Sequence, residues 1–262
     1  MAGEEALLIA FVAGLGLIFG SFATAAAHRI PRNESFVSGR SRCPNCGATI
    51  TAVENIPVFS WLFLRGKCRH CKNPISPRYP LTELTSGVLF ALSAWKFGYS
   101  AETVVYAAFF WGLLVLTLID LEFKLLPNKV VFPMFIAGWI GLAVAALVDG
   151  DADRLLDAAM GAAIFGGFFF VVVLIVPHGM GGGDIKLAFV LGTFIGYVDA
   201  PGVVLVGMFL SFFLGAVIGA TIALVQGGSR KTQIPFGPYL ALGSTVAIFW
   251  GSALKDAYLG IF

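Results

Sequence analysis

Long apolar runs alternate with short polar breaks over nearly the whole chain. A hydrocarbon layer about 30 Å thick is spanned by roughly 20 apolar residues in a helix, and runs near that length recur at 6–27, 82–97, 102–121, 130–148, 155–176, 185–198, 202–226 and 236–254. The pattern predicts an all-α polytopic membrane protein of about eight transmembrane helices. The runs at 82–97 and 185–198 are short for a span. Only one polar interval is long, 28–80, so three regions are expected: a first transmembrane helix over 1–27, a polar domain over 28–80 and a membrane core over 81–262.

Composition agrees with the pattern. Of 262 residues, 58% are hydrophobic and 12% charged, against roughly 45–50% and 25% in soluble domains. Charge then orients the spans. Glu4 and Glu5 precede the first apolar run, where a secretory signal would carry positive charge, so this run reads as a span rather than a cleaved leader. With the N-terminus outside, the cytoplasmic loops are 28–81, 122–129, 177–186 and 227–235. Of the seventeen Lys and Arg, only Lys96, Arg154 and Lys255 then fall outside, as the positive-inside rule favours. The net charge of +2 hides this asymmetry and gives no reason to expect a nucleic-acid partner; lipid is the expected surroundings.

All four cysteines lie in the polar interval, as Cys43-x2-Cys46-x21-Cys68-x2-Cys71. Two such knuckles offer four thiolates to one tetrahedral ion, and a structural zinc in a small zinc-ribbon-like domain is the expected reading. Two disulfides or free thiols are the alternative, and disulfides are disfavoured in a reducing cytoplasm. A closed four-thiolate sphere leaves no position for catalysis. His70 could substitute as a ligand, although it reads better as a solvated loop residue.

The candidate chemistry lies elsewhere. Carboxylates are costly at membrane depth, yet Asp120 in "LIDLEFKLLPN" closes one apolar run and Asp184 in "GMGGGDIKL" opens another. The charge-based topology puts both at the cytoplasmic face. Two carboxyls meeting in a poorly hydrated site share one proton, which makes an acid and a base from identical side chains and suits the hydrolysis of an amide. Gly179, Gly181, Gly182 and Gly183 then allow a sharp bend and close approach of a substrate strand. The bland alternatives stay open: each aspartate could be an interfacial loop residue, and Asp184 a helix cap. Glu122 competes with Asp120 but reads as solvent-facing. Lys186 either tunes Asp184 or snorkels to the headgroups. An ion-coupled transporter would also use intramembrane acids and glycine-broken helices, although no inverted repeat is evident; a structural assembly platform would not need the aspartates for processing.

These stretches resemble the type IV prepilin peptidases, GxGD-type aspartic proteases of the bacterial inner membrane, and the resemblance runs over nearly the whole chain. "FGSFATAAAHRIP" resembles the first-span signature, with Thr24 where asparagine is expected. Residues 43–87 are similar to the cytoplasmic cysteine domain. "IDLEFKLLPN" resembles the first catalytic motif, with Asn128 where aspartate is common, "GMGGGDIK" the second, and "IPFGPYLALG" the last span. The resemblance implies that Asp120 and Asp184 are the catalytic pair of an aspartic protease core, supported by Gly179, Gly181, Gly183 and Lys186. It implies prepilin or pseudopilin substrates, cut after a glycine between a basic leader and an apolar helix. It also implies N-methylation of the new N-terminus with S-adenosylmethionine, for which the residues indicate no cofactor site. "GLGLIFG" at 14–20 reads as helix packing rather than a dinucleotide fingerprint, and Glu54 and Glu83 are the acids available to place a substrate amine. A presenilin-like protease would share the GxGD chemistry without needing the cysteine domain.

Overall fold

The computed structural model describes residues 2–35, 41–175, 181–225 and 235–260. Among them are nine α-helices: α1 (Ala2–Arg29), the single-turn α2 (Phe59–Phe63), α3 (Arg78–Phe97), α4 (Ala101–Phe123), α5 (Asn128–Asp149), α6 (Asp153–Ile175), α7 (Gly182–Val198), α8 (Gly202–Val225) and α9 (Gly237–Leu259). Eight are long, and each coincides with one of the expected apolar runs. The all-helical membrane fold is thus the observed one. Five (α1, α4, α5, α6 and α8) are long and apolar enough to cross a membrane by themselves. The short run at 82–97 gains a turn in front and becomes a 20-residue helix, because Pro77 and Pro80 sit where a first turn needs no amide donors. The run at 185–198 is extended backwards through Gly182 but stays short, at 17 residues.

The chain divides into two compact units, residues 1–118 and 119–262, with the division falling inside α4. In the first, α1 packs on α3 through small residues. A methyl group on Gly16 would lie 2.7 Å from the Phe90 Cβ and the Ser86 carbonyl, and one on Gly20 would lie 2.6 Å from the Glu83 Cα. Lipid is as apolar as leucine, so close backbone approach rather than water exclusion holds such a pair. Two of the three glycines of "GLGLIFG", Gly16 and Gly20, therefore serve helix packing. On the same helix Phe22 stacks on Trp111, with centroids 5.7 Å apart, and the Trp111 indole donates to the Phe19 carbonyl at 2.9 Å.

In the second unit α7 is the central helix, with Leu187, Ala188, Val190, Leu191, Phe194 and Ile195 buried. Gly161 of α6 meets Gly192 and Gly196 of α7 so closely that a methyl on any of the three would strike the backbone opposite. Helix α8 meets α9 where Gly243 faces Ser211, and Phe236 closes an aromatic group with Phe169 and Phe212 just before α9 begins. These contacts fix the start of α9 relative to α7, which is what the site requires.

Candidate functional sites

The two cysteine knuckles repeat one local design. The Cys43 amide donates to the Ala48 carbonyl at 2.9 Å, and the Gly47 amide returns to the Cys43 carbonyl. At the second knuckle the Cys68 amide donates to Asn73 at 2.8 Å, and the Lys72 amide to Cys68. Gly47 and Lys72 both have positive φ, 70° and 61°, at the equivalent position. Bridges between Arg42 and Thr49, and between Lys67 and Pro74, close the two turns. All four Sγ atoms then lie within 4.8 Å of one another, with Cys43 and Cys71 3.9 Å apart. Four sulfurs about 2.3 Å from a tetrahedral zinc would be about 3.8 Å apart, so the group fits the ion. No cysteine pair is joined as a disulfide.

Charge points the same way. The amides of Cys46 and Asn45 hold the Cys43 thiol below its usual range. Although the Ala48 amide favours the Cys46 thiolate, desolvation and the neighbouring Cys43 and Cys71 thiols push it up to about 11. A cation among the four sulfurs would favour their thiolates. His70 is not in the sulfur group; its imidazole lies 3.6 Å from Glu54. Glu54 also accepts from the Thr51 amide and hydroxyl, at 2.9 and 2.8 Å, and stands 3.9 Å from Arg69. It therefore ties the segment between the knuckles to the second knuckle. Glu83 is buried in α3 and accepts the Val58 amide at 2.7 Å. Both acids are thus engaged in holding the loop.

The carboxylate site lies in the second unit. Asp120 is in the last turn of α4, where the Lys124 amide donates to its carbonyl at 2.9 Å. Lys124 has φ 54°, a conformation that turns the chain sharply, and Leu126 comes back against two glycines. A Cβ on Gly183 would lie 2.9 Å from the Leu126 Cβ, and one on Gly237 3.4 Å from its Cδ2. Leu126 is thereby wedged between the start of α7 and the start of α9. Asp120 is buried, and its Oδ2 accepts the Gly237 amide at 3.0 Å. Asp184 is half-buried at the third position of α7, with its Oδ2 accepting the Gly181 amide at 3.2 Å. The expected helix cap is therefore present, but it engages only one carboxylate oxygen. The two carboxylates are close enough to interact electrostatically.

The structure separates the roles of the glycines. Gly181 lends its amide, Gly183 admits Leu126, and a Cβ on Gly182 would meet no atom of the described residues within 4 Å. Gly179 lies outside the described residues. The Lys186 ammonium donates to the Asn128 side-chain oxygen at 3.0 Å and lies 5.5 Å above the Phe132 ring. It thus joins the start of α7 to the start of α5, a link that neither tuning nor snorkelling anticipated. Glu122 is exposed. Sequence reasoning missed Leu126 and Gly237; the one available signal was the Gly-Pro pair opening the last helix.

Two interacting carboxylates at helix ends of an all-helical membrane protein fit a polytopic membrane enzyme. The comparisons with known proteins say which. The family model for the bacterial peptidase A24 N-terminal domain matches residues 15–97, and that for the type IV leader peptidase family matches residues 107–224. A Stutzerimonas stutzeri protein described as a prepilin leader peptidase/N-methyltransferase is 37% identical, over 94% of this chain and 91% of its own. Proteins of the same description from Pseudomonas aeruginosa and Bacillus subtilis are 34% and 36% identical, covering 94% and 93% of this chain and 91% and 95% of theirs. No solved structure matches the chain. The chain belongs to the type IV leader peptidase family, and it is a peptidase of that family.

Proposed function

We propose that this enzyme removes the basic leader of type IV prepilins or type II secretion pseudopilins after a glycine, at the cytoplasmic boundary of the bacterial inner membrane. The observation that carries the reading is the convergence of Asp120 and Asp184, 64 positions apart in sequence, with one oxygen of each tied to a backbone amide. The other oxygen of each, which accepts no hydrogen bond from the described residues, would share a proton and hold a water. One carboxylate takes a proton from the water as its oxygen attacks the scissile carbonyl, while the other gives its proton to the carbonyl oxygen. Collapse of the tetrahedral intermediate breaks the C–N bond, and the leaving amine takes back a proton.

The second activity printed for the relatives is N-methylation, and we extend it to this chain. S-adenosylmethionine would supply the methyl group to the newly exposed amine; no group of described side chains identifies its site. Zinc, held by Cys43, Cys46, Cys68 and Cys71, would shape residues 28–80 as a cytoplasmic domain beside the protease core of 81–262. The positive-inside count supports an external N-terminus with the aspartates and cysteines both on the cytoplasmic side.

The test is cleavage of a prepilin by the purified enzyme and by Asp120→Asn and Asp184→Asn, with mass spectrometry of the product. Only the wild type should cut after the glycine, and a 14 Da increment dependent on added S-adenosylmethionine should mark methylation. Normal cutting by both variants would overturn the aspartyl mechanism.

A further inference from the structure

The first turn of α9 has its own hydrogen-bond accounts. A helix begins with four amides that lack intrahelical partners. Here Pro238 has no amide hydrogen, and the amides of Tyr239 and Leu240 both donate to the Phe236 carbonyl, at 3.1 and 3.2 Å. The Gly237 amide is outside that ladder, and it is aimed at the Asp120 Oδ2, 117 residues away in sequence. The positive end of the α9 dipole faces the same carboxylate.

Space at this point is as specific as the bond. Gly237 does not have a left-handed backbone, so its conformation does not call for glycine. A Cβ there would lie 2.7 Å from the Asp120 Oδ2 and 3.3 Å from its Cγ. The atom in the way is the end of a side chain that can swing, so a methyl group would displace the carboxylate rather than unfold the helix.

We infer that Gly237 is a positioning residue for the peptidase reaction. Its amide and its missing side chain together set the orientation of the Asp120 carboxylate against Asp184. The wedge of Leu126 between Gly183 and Gly237 couples this orientation to the start of α7. The inference rests on the proposed catalytic role of Asp120.

Two measurements test it. The first is steady-state cleavage of a prepilin by the full-length enzyme in detergent, comparing wild type, Gly237→Ala and Gly251→Ala. Gly251 lies on the same helix, where a Cβ would press on Val203 at 2.5 Å, so its alanine variant reports what disturbing α9 does by itself. Gly237→Ala should lower kcat by about 10²-fold, as expected for a misplacement of about 1 Å, with KM little changed. Gly251→Ala should lower Tm and leave kcat near wild type. A Gly237→Ala kcat within threefold of wild type, or a loss matched by Gly251→Ala, would overturn the inference. The second is amide hydrogen exchange over residues 235–240, which does not depend on activity. Asp120→Ala removes the acceptor and should speed exchange at Gly237; unchanged exchange would show that the bond is absent. If Asp120→Ala still cleaves while exchange speeds up, the catalytic reading fails and the bond stands.

Discussion

Each cysteine knuckle closes on its own neighbours: Cys43 with Gly47 and Ala48, Cys68 with Lys72 and Asn73. The carboxylate site has local bonds at Asp120 and Asp184, but they do not bring the two acids together. It draws Asp120 from the end of α4, Leu126 from the following turn, Asp184 from the start of α7 and the Gly237 amide from the start of α9. Loop closure across so many residues is bought by helix packing, with Gly161 against Gly192 and Gly196 as its tightest point. The knuckles thus bring together four thiols that could hold a metal, whereas the carboxylates need the helices around them. A site of the first kind suits structure, and one of the second suits catalysis, where position must survive the reaction.

Perturbations should separate the two regions. The largest effect belongs to the aspartates. Asparagine at 120 or 184 keeps the shape but cannot pass the shared proton, and cleavage should fall by about 10³-fold or more while the protein still inserts. Zinc analysis of the same variants should show unchanged metal. Cys43→Ser or Cys71→Ser should do the reverse. Zinc content should drop, protease sensitivity of residues 41–75 should rise, and methylation should fall further than cleavage. Equal loss of both activities would break the comparison and make the cysteine segment part of the protease.

Smaller effects sharpen it. Lys186→Met removes the bond to Asn128, a contribution of about 1 kcal/mol, and should lower kcat by less than tenfold; Asn128→Asp, which offers the lysine a charge, should not weaken cleavage. The smallest effect is expected at Glu54. The Thr51 amide and hydroxyl hold its carboxyl below the ordinary range, so its support for the loop is complete above the ordinary value near 4.5 and lost as pH falls through the lowered one. Glu54→Gln should therefore loosen the loop at neutral pH, and the difference from wild type in limited proteolysis should close as the solution is acidified.

How much of this was legible depends on how local each feature is. The eight long helices follow from runs of apolar residues, because a backbone in lipid must bond to itself. The cysteine group follows from spacing, since Cys-x2-Cys already sets two ligands on one turn. Asp120 and Asp184 could be named because a carboxylate beside an apolar run is expensive. Lys186 could be named too, but its partner could not.

The chain's own order of residues settles which segments are helical, which residues can bind a metal, and which acids are out of place. It leaves open that α3 starts four residues before its apolar run and that Glu54 and Glu83 are engaged in holding a loop. It also leaves open that Leu126 fills the gap between Gly183 and Gly237. The contacts of Glu83 and Leu126 join residues tens to more than a hundred positions apart, and no period or spacing records them. Only the packing of α4, α7 and α9 against their neighbours decides that the Gly237 amide meets the Asp120 carboxylate, because a hydrogen bond at 3.0 Å requires two helix ends to be placed in space rather than in sequence.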